Sequence, residues 1–375
     1  MFERDATIQL GEWLGKKEIV ILYGARQTGK TTLVKEMLKK RDDAIILNCE
    51  MPLIADTLES NDLSQIIALF EGKKIIAFDE AQKIKNIGSV LKIIYDEFPK
   101  YKIVATGSSS FELAGKLSEP LTGRNVKFKL FPLSLNEIKR EKGWLWVREN
   151  LNQLIVYGTY PGLIDLNIKE KEKKLIELAT DYLYKDVFMH ENVRNPTVIR
   201  NLLKALALQV GAQVSSHELA GLLGVSRTTV ERYLDLLEKS FVIYNLPSFS
   251  RNLRNEIKKS RKYFFFDTGI RNALLGDFRP MTDRVDNGAL WKNFCVSQRI
   301  FMSEISQPYS HYYFWRTYDK AEIDLIEESN GELSAFEFKL KQKRSYRFPT
   351  SFVEKYSPIK TTIVSQENLH KLLEW

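Results

Sequence analysis

The apolar positions of this chain change their spacing along its length. Up to residue 132 they come in short unbroken runs: IVILY at 19–23, AIIL at 44–47, IIAF at 75–78 and IVA at 103–105. Such runs, rich in β-branched residues, predict strands covered on both faces, as in a parallel sheet. A later strand alternates instead, through VKFKLF at 126–131. After the first run the pattern turns helical, with Leu33, Met37 and Leu38 on one side. From 133 to 191 helical spacing takes over, and YGTYPGL is a turn-rich break. Trp144, Trp146, Leu151, Leu154, Tyr182 and Leu183 are the predicted core there.

The next stretch, VSSHELAGLLGVSRTTVERYLDLLEK, predicts two helices about a turn. Ser215 and Glu218 have capping-box spacing, Gly224 marks the turn and Ser226 caps the second helix. Val230, Tyr233, Leu234 and Leu237 share one face of that helix. This is a helix-turn-helix pattern. FVIYNLP and KYFFFD then bracket the basic run SRNLRNEIKKSRK, which predicts a β-hairpin wing. Toward the end, GALWKNFCVSQRIF predicts an amphipathic helix, and HYYFWRT, AEIDLIEE and LSAFEFKL predict strands. The Asn330-Gly331 pair between the last two signals a tight hairpin.

Composition adds bounds. The chain has 375 residues, 44% hydrophobic and 28% charged, which predicts a globular protein with two or three cores. Its two cysteines, Cys49 and Cys295, stand far apart without metal-ligand spacing, which argues against a disulfide framework or a zinc site. The first residues are polar and carry acids, and no apolar run exceeds strand length. A soluble, cytoplasmic chain without membrane contact is therefore expected. The net charge is +8. Between Arg194 and Lys262 there are 12 lysines and arginines against 5 acids, so this one segment carries +7. An anionic partner for it follows, DNA first.

The candidate chemistry begins with Gly24–Thr31, GARQTGKT, set between a strand and a helix. That context is the P-loop: glycines let backbone N–H groups turn toward phosphate, and the helix N-terminus adds positive potential. Gly24, Ala25, Gln27, Thr28, Gly29, Lys30, Thr31 and Thr32 are the predicted ATP-binding residues, with Lys30 on the β- and γ-phosphates. IIAF ends in Asp79-Glu80. Thr31 and Asp79 are expected to hold Mg²⁺, and Glu80 to orient or deprotonate the attacking water. Thr106, Ser108 or Ser109, after the IVA strand, contacts the γ-phosphate or that water. Asn48 is a candidate polar contact to Glu80. Arg124 is a candidate finger on a γ-phosphate, in cis or in a neighbouring copy.

GARQTGKT, IIAFDEAQ, VATGSSS, LTGR and FPLSLNE occur in this order. In that order they resemble the AAA-type ATPases of archaea and bacteria that carry a C-terminal domain of unknown function. DTGIRNAL, GALWKNF, YFWRT, EIDLI and FEFK continue the resemblance to the end of the chain. The resemblance implies a helical lid over the nucleotide and, in AAA-type proteins, a homo-oligomer in which an arginine of one subunit completes the next site.

The final helix and three strands have the arrangement of the PD-(D/E)XK nuclease fold. There Asp324 and Glu337 would share Mg²⁺, and Lys339, two residues on, would face the same side of the sheet. Trp315 and Arg316 would flank a substrate. The resembled family carries a glutamate where this chain has Lys292, so two readings stand: a live nuclease, or a vestigial site in a binding or structural domain.

The expected fold class is α/β. Residues 1–132 form an AAA-type P-loop ATPase core, 133–191 a lid, 192–266 a winged helix-turn-helix and 267–375 a restriction-endonuclease-like α/β domain. Arg227, Thr228 and Arg232 on the second helix and Arg251, Arg254, Lys258 and Lys259 in the wing are the predicted DNA contacts. The expected function is an ATP-hydrolysing protein that acts on DNA or is regulated by it. The other reading is a nucleotide-controlled switch or scaffold for protein partners.

Overall fold

The computed structural model describes residues 1–60, 62–108, 120–182, 187, 195–251, 261–306, 309–341 and 346–374. The chain divides into two units, residues 1–132 with 239–241, and residues 133–238 with 242–375.

The first unit is built on the unbroken apolar runs. They form β1 (Ile19–Tyr23), β2 (Ala44–Asn48), β3 (Ile75–Asp79) and β4 (Lys102–Gly107), and the alternating segment forms β5 (Asn125–Lys129). The described strands are all parallel, in the order β2-β3-β4-β1-β5. The flanking helices are α1 (Ala6–Leu14), α2 (Lys30–Leu38), α3 (Pro52–Glu59), α4 (Leu63–Ala68) and α5 (Ile87–Glu97). Ile21, Phe70, Ile76, Phe78, Leu91, Ile94 and Ile103 lie buried together between sheet and helices. Truncating one of them to alanine costs about 2–5 kcal/mol. Because β4 lies between β1 and β3, the carboxyl ends of three strands meet: Tyr23 pairs with Gly107, and Phe78 with Ala105. Open parallel sheets bind ligands at that edge.

The second unit starts with α6 (Leu135–Lys142), α7 (Trp144–Tyr157) and α8 (Ile168–Tyr182). Helix α6 opens with a capping box that the S-x-x-E spacing allowed: Glu137 N donates to Ser134 Oγ at 3.2 Å, and Ser134 N donates to Glu137 Oε2 at 2.9 Å. The α7 core is Val147, Leu151 and Leu154, while Trp144 and Trp146 are only half-buried. The large rings suggested a core, but the helix presents Val147 to it instead. Tyr182 is the last residue of α8, and Leu183 lies outside the described residues.

Next come α9 (Pro196–Leu208), β6 (Gln213–Val214), α10 (Ser216–Leu223), α11 (Arg227–Lys239), β7 (Ile243–Leu246) and β8 (Arg261–Phe265), the strands in the order β6-β8-β7. Gly224, at φ 65°, turns the chain between α10 and α11. The α10 cap differs from the expected box: Ser215 Oγ accepts from His217 N at 3.3 Å. Thr229 N donates to Ser226 Oγ at 3.2 Å. Val230, Tyr233, Leu234 and Leu237 are buried.

The chain continues through α12 (Thr268–Leu275), α13 (Asn287–Ser306), β9 (His311–Arg316), β10 (Glu322–Ser329), β11 (Glu332–Phe338), α14 (Thr350–Tyr356) and β12 (Lys360–Val364). The sheet order is β12-β11-β10-β9, with β9, β10 and β11 antiparallel and β12 parallel to β11. Asn330 and Gly331 turn the hairpin at φ 52° and 82°. The segment leaving β7 runs along the edge strand β9: Phe249 N donates to Phe314 O at 2.7 Å and Phe314 N to Pro247 O at 2.9 Å. Phe249 packs with Trp315, Phe352 and Tyr356 in the core of this sheet. The edge strand is thereby covered at Phe314, and the segment that leaves β7 toward the expected wing is fastened there. Lys262 of β8, itself buried, adds an ion pair to the half-buried Glu322 of β10, 2.5 Å between Nζ and Oε1.

Candidate functional site

At the end of β1 the chain enters the glycine loop at a position only glycine tolerates. Gly24 has φ 155°, and a Cβ there would lie 2.2 Å from the Leu130 carbonyl oxygen. Gln27 follows at φ 58° and Gly29 at φ 95°, directly before α2. The first N–H groups of α2 have no acceptor within the helix, so they point into the loop. Thr28 Oγ1 donates to Ala25 O at 2.9 Å and braces the curve. Lys30 is buried, and its Nζ donates to Gly24 O and Ala25 O at 3.0 and 2.7 Å. Thr32 is exposed on the following turn.

The converging strand ends bring the acids to this loop. Thr31 Oγ1 donates to both carboxylate oxygens of Asp79 at 2.9 Å, and Thr106 Oγ1 donates to Asp79 Oδ1 at 2.5 Å. Thr106 Oγ1 in turn accepts from Glu80 N at 3.1 Å. Glu80 holds a left-handed backbone, φ 54°, a conformation that costs a non-glycine residue about 1 kcal/mol or more and is often kept at functional sites. Gln82 Nε2 donates to Glu80 Oε2 at 2.5 Å and to the buried Ser108 Oγ at 3.1 Å. Ser108 thus meets Glu80 through Gln82, while Ser109 lies outside the described residues. Cys49 sits behind this edge, its thiol pushed up to about 12 by burial, with the charges of Asp79 and Glu80 adding to the effect.

Two contributors were not singled out from sequence. Gln82 lies in a motif already read for its acids. Arg4 donates to Thr28 O at 2.6 Å and to Phe131 O at 2.7 Å, tying the glycine loop to the chain after β5. No short-range pattern marks Arg4, because its partners lie 24 and 127 residues away.

Two candidates are engaged otherwise: Asn48 at the same edge, in register with Asp79, and Arg124 away from it. Asn48 Oδ1 accepts from Glu50 N at 2.9 Å. Arg124 precedes β5 and pairs with Asp96 through Nε at 2.9 Å and Nη2 at 3.1 Å. Its carbonyl accepts from Ile19 N, at the start of β1. The glycine loop leaves the other end of β1, four residues or ~13 Å further along. The structure therefore does not bring Arg124 to the phosphate loop of its own chain.

A profile of the AAA domain matches residues 16–139, and two domains of unknown function match residues 148–280 and 287–372. The chain is 31% identical over 341 residues to the uncharacterized proteins Mb2031c of Mycobacterium bovis and Rv2008c of Mycobacterium tuberculosis. That alignment covers 90% of this chain and 73% of each relative. The chain belongs to their AAA-domain family. An uncharacterized protein of Methanocaldococcus jannaschii is 26% identical over 271 residues, covering 67% of this chain and 60% of its own length. The Walker-type ATPase PABY2304 of Pyrococcus abyssi shares the fold, with a TM-score of 0.53 at 18% identity, over 73% of this chain and 96% of that one. The parallel sheet with its glycine loop is thus the P-loop ATPase fold of an AAA family, and ATP is the ligand it suits. Among the described residues no helix is long and apolar enough to cross a membrane.

In the second unit of this AAA-family chain, Arg227, Thr228 and Arg232 are exposed on α11. Arg227 Nε pairs with Glu231 Oε1 at 2.8 Å, and the Arg232 guanidinium lies 5.3 Å from the Tyr233 ring centre. Arg251 is exposed, whereas Arg254, Lys258 and Lys259 lie outside the described residues.

Asp324, Glu337 and Lys339 come together on the last sheet. A register shift in the β9–β10 pairing falls between Ile323 and Ile326, the stretch that holds Asp324 and Leu325. Lys292 Nζ of α13 donates to Asp324 Oδ1 at 2.6 Å, and Lys339 Nζ donates to Glu337 Oε1 at 2.5 Å. Burial, and then the charge of Asp324, push the Glu337 carboxyl up, against the pull of Lys339 and Lys292. For Lys292 burial works against the charged form, but Asp324, Glu337 and Glu322 outweigh it and its ammonium is held above the usual range. Trp315 does not flank this face: it is buried against Phe352. Arg316 Nη1 lies 3.6 Å from Glu322 Oε2 and 3.2 Å from its acceptor Gln213 Oε1.

Proposed function

We propose that this protein binds ATP with Mg²⁺, hydrolyses it, and couples that cycle to DNA through its second unit. The observation that carries the reading is Asp79, held by the hydroxyls of Thr31 and Thr106 beside the glycine loop with Glu80 next in sequence. A hydroxyl and a carboxylate are hard oxygen donors, so Thr31 and Asp79 fit Mg²⁺. Bound there, Mg²⁺ would neutralise phosphate charge. Lys30 exchanges its two loop carbonyls for phosphate oxygens. Glu80, oriented by Gln82, accepts a proton from the attacking water, and Ser108 holds Gln82 in place. Within one chain Arg124 lies beyond reach, so a role for it on the γ-phosphate requires a second copy of the chain, a homo-oligomer.

Residues 133–191 then act as the lid, 192–266 as a winged helix and 267–375 as a restriction-endonuclease-like domain. What supports the winged helix is the order of α9, β6, α10, α11, β7 and β8, with Arg227, Thr228 and Arg232 exposed on α11. Contacts to phosphates predict salt-sensitive binding without strong sequence preference. One observation favours the other reading, a nucleotide-controlled scaffold for a protein partner: Arg227 is already paired with Glu231 on the would-be reading face. ATPase turnover of wild type and Glu80→Gln, with and without DNA, tests both. The expectation is turnover that DNA stimulates and that Glu80→Gln abolishes while nucleotide binding persists. Turnover unchanged by DNA sinks the DNA reading. Normal turnover in Glu80→Gln sinks the catalytic one.

A further inference from the structure

The nuclease-like arrangement of the last sheet calls for a divalent cation between Asp324 and Glu337, and the residues present do not fit one. Both carboxylates are nearly buried, at 2% and 4% exposure. All four of their oxygens already accept from this chain. Asp324 Oδ1 takes Lys292 Nζ at 2.6 Å, and Oδ2 takes Phe338 N at 3.0 Å. Glu337 Oε1 takes Lys339 Nζ at 2.5 Å, and Oε2 takes Asp324 N at 3.3 Å. Two negative charges meet two positive ones. A cation entering here would have to displace an ammonium and then sit beside it. Lys262 and Arg316 on Glu322 add positive charge at the neighbouring strand position. Among the described residues no group of three or more His, Cys, Asp or Glu is placed to hold a metal ion.

We infer that Lys292 stands in for a metal ion: its ammonium, with Lys339, closes the Asp324–Glu337 pair into a four-residue ionic cluster that takes neither Mg²⁺ nor Mn²⁺. Helix α13 delivers one of the two positive charges that a divalent cation would bring and Lys339 supplies the other, so the pair is neutralised without a metal. A phosphodiester reaching this face meets two partly exposed lysine side chains, 29% and 28% accessible. This inference is independent of the nucleotide reading.

Mn²⁺ titration of the full-length, nucleotide-free protein, followed by electron paramagnetic resonance, tests it. Wild type and Asp324→Asn are expected to bind the same amount of Mn²⁺. Lys292→Glu, which turns the ammonium into a third carboxylate, is expected to gain one equivalent, lost again in Lys292→Glu with Asp324→Asn. The inference fails if wild type binds one equivalent more than Asp324→Asn, or if folded Lys292→Glu gains none. Circular dichroism reports folding. Should either variant misfold, wild type against Glu337→Gln decides: an equivalent lost on that change overturns the inference. ATP turnover is not read in any arm, so failure of the P-loop assignment leaves this outcome unaffected.

Discussion

Asp79 and Asp324 are both nearly buried strand residues beside a helix, but their surroundings differ. Asp79 accepts from hydroxyls, those of Thr31 and Thr106. Asp324 accepts from an ammonium and a backbone amide. A hydroxyl satisfies a lone pair and leaves the charge in place; an ammonium satisfies the lone pair and cancels the charge. Only the first leaves a carboxylate ready to recruit a cation. An aspartate in a metal-binding sequence pattern is therefore half of a site, and the other half is what its oxygens already touch.

The widest expected contrast is catalytic. Glu80→Gln should lower ATP turnover by about 10²–10⁴-fold, the usual worth of a positioned base, and retain binding, measured with a fluorescent nucleotide. Chelating divalent cations should stop turnover in wild type and leave the stability of the second unit unchanged in thermal melts. A loss of second-unit stability would place a metal at Asp324 and collapse the contrast. Next, Lys292→Met strands a buried carboxylate and should cost about 3–5 kcal/mol in denaturant unfolding, while Lys30→Met, which removes the ammonium proposed to meet phosphate, should abolish ATP binding at a smaller cost in stability.

A third acid supplies an intermediate case. Asp267 caps α12 and accepts from Thr159 N at 2.8 Å and Ile270 N at 3.1 Å, so its partners are backbone amides. Gly158 leaves it room, since a Cβ there would lie 2.0 Å from Asp267 Oδ1. Burial raises its carboxyl from 3.8 to about 6, against the pull of the amides of Thr159, Ile270 and Gly269. A folded-state value above the unfolded one means that its contribution is fully present below pH ~4, is lost as pH rises toward 6, and is flat above. That loss amounts to roughly 3 kcal/mol. Asp267→Asn should remove it, seen as a stability difference between variant and wild type that changes from pH 4 to 7 and then stops changing. Smaller still, Arg232→Ala should reduce the salt slope of DNA binding by about 1. Arg124→Ala should leave ATP affinity of the isolated chain unchanged; weakened binding there would mean that the arginine reaches its own nucleotide.

The glycine loop was legible because its parts are consecutive, so local sequence states the whole device. Asp79 and Glu80 were legible because an apolar run of strand length ended on them. The position of Arg124 was not, because it depends on the direction of β5. A parallel β5 begins at the edge opposite the loop and carries Arg124 there. Arg4 was missed because its partners lie 24 and 127 residues away; Gln82 stands two residues from Glu80, but its link to Ser108 spans 26 residues and needs β3 and β4 side by side. On the last sheet the D…ExK spacing and the Asn330-Gly331 turn were readable, and Lys292 stood out, but its contact with Asp324 spans 32 residues and needed the helix in place.

The strand-edge contact of Pro247–Phe249 with β9 carries a consequence for how the protein is made. The helices from 196 to 239 leave the ribosome before the strands that complete their surroundings exist. Lys262 waits 60 residues for Glu322. At roughly 5–20 residues per second that is about 3–12 s, and Phe249 waits longer still for Phe314, Phe352 and Tyr356. The second unit should therefore acquire its native protection late, whereas the strands of the first are all synthesised by residue 129 and its sheet is free to form early, with residues 239–241 joining afterwards.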